Sequence, residues 1–436
     1  MIYNADNFPE LPRGWTSLTV DDSVENAGNS NRKLKTKNAL DYGRFPVIDQ
    51  GQSSISGYSD DESLVVEASE SSPVILFGDH TRLFKKISQP FIPGADGTKL
   101  FRAKPFWDTR FVYQMLRAIK LPDKGYARHF QYLRDSVLPL PPLPEQKRIA
   151  DKLDAVLARV DACRDRLDRI PAILKRFRQS VLAAATAGKL TEDWREENSI
   201  TCMWVESTLL SLTTKITDGE HITPKRSPSG KYLLSARNIQ NGSIALGNVD
   251  YVDDLEFDRI RRRCNPEIGD VLLSCSGSVG RAAMVDRDNC YVMVRSAAMI
   301  RPRKDLLHTT YLMYCLQSPN LQVQIEAKSK ATAQANIFLG AIKELVLSLP
   351  GLQEQTEIVR RVEALSAYAD RLEARYKAAR AQVEKLNPAT LAKAFRGELV
   401  PQDPNDEPAS ALLERIKAHR SNQAAINPKR SRKAMA

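Results

Sequence analysis

Apolar residues recur at Ile149, Leu153, Val156, Val160, Cys163, Leu167, Ile170, Leu174, Phe177 and Val181, in steps that alternate between four and three. On a helix this spacing keeps the apolar side chains in one narrow stripe. A 3.5-residue period held over several turns predicts a left-handed coiled coil. At 1.5 Å per residue the stripe would run roughly 50 Å. Moving 209 positions on gives Ile358, Val362, Leu365, Ala369, Leu372, Tyr376, Ala379, Val383, Leu386 and Thr390, the same stripe ending in a polar residue. Pro171 and Pro388 lie inside the two stripes, and each is expected to kink its helix or start a new segment. Two amphipathic helices buried in separate cores would also satisfy the pattern. Identical register after two proline-rich lead-ins favours mutual packing.

The stripes sit in a longer repeat. Leu143-Pro144-Glu145-Gln146 returns as Leu352-Gln353-Glu354-Gln355, and Gly188-Lys189-Leu190 returns as Gly397-Glu398-Leu399, all at the offset of 209. Trp15 and Trp204 each precede a short β-like run, 130 and 150 residues before the matching glutamates. The chain therefore reads as a block over 1–143, a long helix over 144–190, a second block over 191–349, a second long helix over 350–400, and a short helix with a basic tail over 401–436. The blocks differ in sequence while the helices agree in register, as one scaffold carrying two heads of different specificity would.

Within the first block, Pro73-Val-Ile-Leu-Phe77 predicts a buried strand closed by Gly78-Asp79. His80-Thr81-Arg82 then reads either as a loop offering polar groups to a ligand or as a plain turn. Lys85, Lys86, Lys99, Arg102 and Lys104 alternate with Phe84, Phe91, Phe101 and Phe106, a pattern that suits phosphate and base contact or an ordinary solvated face. In the second block, Asp218-Gly-Glu-His221 opens a polar loop. Tyr232 to Ile239 predicts a strand running to a hairpin turn at Asn241-Gly242. Gly269 to Val285 reads as strand, glycine turn, strand. The Gly277-Ser-Val-Gly280 turn beside Arg281 is either a phosphate-approaching loop or a tight hairpin. Arg261-Arg262-Arg263 reads as a solvated helix face, and Lys429 to Lys433 as a disordered basic end that touches phosphate without sequence preference.

Composition narrows the class. Hydrophobic residues are 42% and charged residues 27% of 436, the usage of an ordinary globular chain. The formal charge is +11. Residues 1–143 carry 18 basic and 17 acidic side chains, 144–190 carry 11 and 6, 191–349 carry 19 and 19, and 350–436 carry 16 and 11. The blocks are thus near neutral, and a nucleic-acid surface on them must be a local patch. The six cysteines form no CxxC pair, and the polar start Met1-Ile-Tyr-Asn-Ala-Asp6 has no apolar signal core, so a reduced cytoplasm is expected. Phosphate-loop, dinucleotide, nucleophile-elbow and zinc-protease motifs are missing from the sequence, as is the proline-rich tetrapeptide of amino-methyltransferases. Glu326-Ala-Lys328 has nuclease-like spacing but reads as a helix ion-pair face.

Taken with these motifs, the chain resembles the DNA-specificity subunit of type I restriction-modification systems. The carriers in the first block are Pro46-Val-Ile-Asp49-Gln50-Gly51-Gln52, Phe77-Gly-Asp-His80-Thr-Arg82, Tyr126-Ala-Arg128-His129-Phe130 and Leu140-Pro-Pro-Leu143-Pro-Glu-Gln146. In the second block they are Asp218-Gly-Glu-His221-Ile-Thr-Pro224, Gly269-Asp-Val-Leu272, Gly277-Ser-Val-Gly280-Arg281 and Leu349-Pro350-Gly351-Leu352-Gln-Glu-Gln355, with Glu407-Pro-Ala-Ser410 behind. Gly351 departs from the family, which usually has proline there. The resemblance implies a mixed α+β fold: two α/β target-recognition domains joined by two long antiparallel coiled-coil helices with an internal pseudo-two-fold. It implies that each head reads one half of a split, asymmetric double-stranded DNA site. It also implies two methyltransferase subunits, and in the full complex two translocating nuclease subunits, around a chain that is not itself catalytic. S-adenosylmethionine, ATP and magnesium would then belong to the partners. The expected DNA contacts are Arg82, Lys85, Lys86 and Arg102 in the first head and His221, Lys225, Arg226, Arg237, Asn238 and Arg281 in the second. The rival readings are a self-sufficient nuclease or methyltransferase, a coiled-coil adaptor that binds only proteins, and a type IIB-like subunit whose partner cuts beside the site.

Overall fold

The computed structural model describes residues 11–28, 33–95, 97–125, 127–201, 203–329 and 335–426. The polar start, Tyr126 and the basic end Lys429 to Lys433 lie outside them. The chain forms two compact units, residues 1–167 with 379–436, and residues 168–378.

Both stripes fold as helices of 44 residues, Leu143–Thr186 and Leu352–Phe395. Each stops before the extents expected from sequence, because Gly188 and Gly397 take left-handed φ values of 75° and 73°. At the second stop, Gly397 N–H donates to the Ala394 carbonyl and Glu398 N–H to the Lys393 carbonyl, closing the last turn in a Schellman arrangement. Neither Pro171 nor Pro388 starts a new segment; both residues lie inside unbroken helix. Both are exposed, so the carbonyl deprived of its amide donor one turn earlier has access to water.

The first unit contains three sheets. Val24–Asn26, Thr98–Ala103, Val74–Gly78 and Phe84–Ile87 form a four-stranded antiparallel sheet in that spatial order. Gly57–Ser59, Phe45–Ile48 and Ile92–Pro93 form a three-stranded sheet whose last pair is parallel. Thr16–Thr19 pairs antiparallel with Val137–Leu140. The strand expected over 73–77 is present as Val74–Gly78 and is buried throughout.

The second unit repeats that plan. Thr213–Asp218, Ala297–Pro302, Val271–Ser274 and Ala282–Met284 form the four-stranded sheet. Asp250–Val252, Lys231–Leu234 and Tyr291–Met293 form the three-stranded one, again with a parallel last pair. Val205–Thr208 pairs with Val346–Leu349. The hairpin foreseen at Asn241-Gly242 joins Ile239–Gln240 to Ser243–Ile244. Helices Asp254–Arg261 and Pro319–Lys328 account for part of the extra length. Lys328, of the Glu326-Ala-Lys328 triplet, pairs with Glu344 at 2.9 Å.

Each core takes in the start of one long helix and the end of the other. Ile149, Ala150 and Leu153 pack with Ala394, Phe395, Phe111 and Trp107 in the first unit. Val181 and Ala185 pack with Ile358, Val359, Val362 and Tyr311 in the second. The helices therefore run antiparallel, and Arg178 ties them by contacts of 2.8 Å to both Asp370 and Glu373.

Candidate nucleic-acid interface

The Glu-Gln pair that opens each helix is a structural junction. Gln146 is buried; its Nε2 donates to the carbonyls of Phe106 and Pro141 at 3.0 and 2.9 Å, and its Oε1 accepts from Asp108 N–H at 2.8 Å. Gln355 repeats this with the carbonyls of Leu306 and Pro350 and the N–H of His308, at 2.9, 2.8 and 2.7 Å. A single amide thus fixes helix start, proline lead-in and head, three groups that would otherwise be buried unpaired. The preceding glutamate holds the tryptophan that starts the head: Trp15 Nε1 donates to Glu145 Oε2 at 2.9 Å, and Trp204 Nε1 to Glu354 Oε2 at 3.1 Å. Burial pushes the Glu145 carboxyl up, only partly offset by Trp15. Glu354 also binds Arg195 and the Thr191 hydroxyl. The motif at Glu407 closes the first junction, with Ala409 N–H on the Gly14 carbonyl at 2.9 Å and Arg148 on Asp406 at 2.7 Å.

In the first head, three sequence motifs converge at one loop cluster. Thr81 Oγ1 donates to the Gln50 carbonyl at 2.8 Å, and His80 N–H to Gln50 Oε1 at 3.2 Å. Buried Asp79 accepts from Phe130 N–H at 2.7 Å, and its carbonyl accepts from His129 N–H at 3.0 Å. Gly78 has no room for a side chain, since a Cβ would lie 2.2 Å from Thr81 Oγ1. Lys85 donates to the Ser53 carbonyl at 2.6 Å and sits 3.9 Å from Asp49. Burial lowers its pKa, against the pull of Asp49. Arg82 takes a left-handed φ of 62° and lies 3.6 Å from Asp123. Lys86 is exposed, whereas Arg102 is half-buried and donates to the Glu67 carbonyl.

In the second head, Asp218 accepts from Arg263 at 2.6 Å, and its other oxygen lies 2.8 Å from His221 Nε2. Burial opposes ionisation of Asp218, but these hydrogen bonds outweigh it and hold the carboxyl below its ordinary value. Arg226 and Arg237 converge on Asp250 at 3.0 and 2.9 Å. Lys225 anchors its N–H on Glu256 and leaves its side chain exposed. Arg281 donates to Gln240 at 3.1 Å.

Asn238 and Arg263 differ from expectation, and one open alternative is settled. Asn238 is 1% exposed, and its amide is spent on the carbonyls of Ala245 and Asn248 and on capping the turn at Ser235, so it belongs to the fold and not to a contact surface. Of the two readings of the glycine turn before Arg281, the hairpin is the one built: Gly277 N–H is used by the Ala335 carbonyl and Gly280 N–H by the Ser274 carbonyl, leaving neither amide for a phosphate. Arg263, read from sequence as part of a solvated run, instead clamps the Asp218 to His221 loop. The offsets of 45 and 42 residues between these partners left no local signal.

Two heads of one topology, each tied by an equivalent junction to the start of a long helix, define a duplicated two-head chain. Residues 204–379 match the type I restriction modification DNA specificity domain. The chain is 37% identical over 333 residues to the type I restriction enzyme EcoBI specificity subunit of Escherichia coli, covering 69% of this chain and 68% of that protein. It is 37% identical over 311 residues to the EcoKI specificity subunit of Escherichia coli strain K12, covering 68% and 66%, so these matches span about two thirds of either relative. A 27% identity to the EcoDI specificity subunit runs over 97% of this chain and 99% of that one. The fold is shared with the HsdS subunit from Thermoanaerobacter tengcongensis, with a TM-score of 0.55 at 19% identity over 91% of this chain and all of that one. A chain solved in work on complex assembly and conformational transition of the type I R-M system gives 0.65 at 20%, over 90% and 100%. The chain belongs to the type I restriction enzyme specificity subunits.

Proposed function

We propose that this chain is the DNA-reading and assembly subunit of a type I restriction-modification complex in the cytoplasm. Each head reads one half of a split, asymmetric double-stranded site. The exposed faces of the long helices carry two methyltransferase subunits, and two restriction subunits join the full complex. S-adenosylmethionine, ATP and magnesium act on those partners, and the chain supplies specificity without catalysing a step. The observation that carries this reading is the repetition of one backbone plan under different side chains, with both copies locked to their helices by the same buried glutamine. Such a scaffold joins each reading surface to its own helix start by the same junction.

Arg82 and Lys86 in the first head and His221, Lys225, Arg226, Arg237 and Arg281 in the second are the proposed DNA-facing side chains. Lys85 and Arg102 hold the loops that present them. Near-neutral heads with local cationic clusters suit a reader that positions itself on phosphates and takes its specificity from base edges. The test is a methylome: the chain is expressed with its methyltransferase subunit in a methylation-free host and modified adenines are mapped. One split asymmetric motif, lost when this chain is omitted, is the expected result. Methylation that persists unchanged without the chain would sink the proposal.

A further inference from the structure

Of the eleven arginines between residues 205 and 349, nine commit the guanidinium to a carboxylate or a side-chain amide. Among the described residues, Arg262 and Arg295 are the two that do not. Arg262 caps the exposed end of the helix Asp254–Arg261. Arg295 is also exposed, but it lines a cavity of about 380 Å³ with Asp218, His221 and Ser276.

The backbone beneath Arg295 is held on every side. Its N–H donates to the Glu220 carbonyl at 3.0 Å, and Glu220 N–H donates to the Met293 carbonyl at 2.7 Å. Val294 N–H donates to Leu234, while the Ser296 carbonyl accepts from Cys275 N–H at 2.8 Å and its hydroxyl from Ala236 N–H at 3.0 Å. The approach is too close for any side chain at Gly219, where a Cβ would lie 2.2 Å from the Met293 carbonyl oxygen.

The first head makes the matching backbone bonds around a turn one residue longer, with Asp96 outside the described residues. Ala95 N–H donates to the Leu34 carbonyl at 2.6 Å, Leu34 N–H to Pro93 at 3.0 Å, and Gly94 N–H to Ile48 at 2.8 Å. The Gly97 carbonyl accepts from Asp79 N–H at 2.6 Å, as Ser296 does from Cys275. Arg295 therefore stands where the first head has Ala95. A position held by the same backbone bonds, with a methyl group in one head and an uncommitted guanidinium in the other, is where two readers of different sequences should differ.

We infer that Arg295 is a specificity-determining residue of the second head, and that its guanidinium reads a guanine through O6 and N7 of the major-groove edge. This rests on the DNA-reading function proposed above. The planar fork matches those two acceptors, the backbone that carries it is already held, and the neighbouring Ser276 hydroxyl and His221 ring add hydrogen-bonding groups for the same edge. None of the second-head cations picked out by sequence pattern has an equally uncommitted guanidinium in a concave setting.

The test uses the assembled methyltransferase complex with wild-type chain, Arg295→Ala or Arg295→Lys, and reads both the methylome and affinity for the wild-type motif. Arg295→Ala is expected to relax the motif at one guanine of one half-site and leave the other half unchanged. Discrimination at that guanine should fall by about tenfold to a hundredfold. A duplex with 7-deazaguanine there should weaken the wild-type complex and not the alanine variant. Arg295→Lys should restore part of the preference. An unchanged motif, or affinity that falls equally for every sequence as a phosphate contact would make it fall, overturns the inference while leaving the proposed function standing. A wild-type complex with no motif at all overturns both.

Discussion

Glu354 accepts a hydrogen bond from Trp204 at 3.1 Å across 150 residues of chain, and the same carboxylate receives Arg195 and Thr191. Its counterpart Glu145 holds Trp15 and meets Gln402, but among the described residues no guanidinium forms an ion pair with it. The two junctions are alike in geometry and unlike in charge balance. Glu354→Gln should therefore cost on the order of 3 kcal/mol, because it strands a guanidinium beside a neutral amide. Glu145→Gln keeps an acceptor for Trp15 and removes a charge that burial disfavours, so it should stay within about 1 kcal/mol of wild type. Urea unfolding of both variants measures the contrast, and equal losses would contradict it.

Gly219 and Gly242 separate steric from conformational demands. A Cβ at Gly219 meets the Met293 carbonyl at 2.2 Å, whereas one at Gly242 meets nothing within 4 Å and only the φ of 83° opposes it. Gly219→Ala should destabilise the second head by about 1–3 kcal/mol through forced backbone movement. Gly242→Ala should cost about 1 kcal/mol. Thermal unfolding with a probe in the second head reads both.

Glu256 accepts from Arg259 at 2.8 Å through both oxygens and from Lys225 N–H at 3.0 Å. The Arg259 hydrogen bonds lead in lowering its pKa to about 2 from an ordinary 4.5. A carboxylate with a depressed folded pKa stabilises fully above its free value, and that stabilisation disappears as pH falls from about 4.5 through about 2. The urea midpoint of the second head should drop between pH 6 and pH 3, and Glu256→Gln should flatten that drop. Identical pH profiles for the two proteins would exclude Glu256 as a contributor.

Asp250 neutralises both Arg226 and Arg237. If these cations face DNA, Asp250→Asn should raise non-specific affinity several-fold and steepen the salt dependence by about one phosphate contact. Anisotropy titrations over a salt series on scrambled duplex give both quantities. Unchanged affinity would place the pair away from DNA.

The helices were legible because a heptad stripe is a local signal, repeated at one offset, whereas the expected extents ran past the left-handed Gly188 and Gly397. That Pro171 and Pro388 start no new segment was not legible, because sequence does not show that both are exposed. The common plan of the heads was not legible: its strands are two to six residues long, and the equivalence of Ala95 and Arg295 is carried by backbone hydrogen bonds. Cation positions were visible in sequence but their engagement was not, since Arg226 and Arg263 find carboxylates 24 and 45 residues away. Asn238 failed for the same reason: its partners at Ala245 and Asn248 become neighbours only when the hairpin forms.

The central claim, that each head reads its own half-site on an equivalent scaffold, is tested most directly by exchanging one head. Residues 205–349, between Trp204 and the second helix, would be replaced by the corresponding segment of the EcoKI specificity subunit, and the methylome of the assembled methyltransferase complex mapped. The account predicts a new motif that keeps one original half and replaces the other. A motif changed in both halves, or the original motif retained whole, would contradict it.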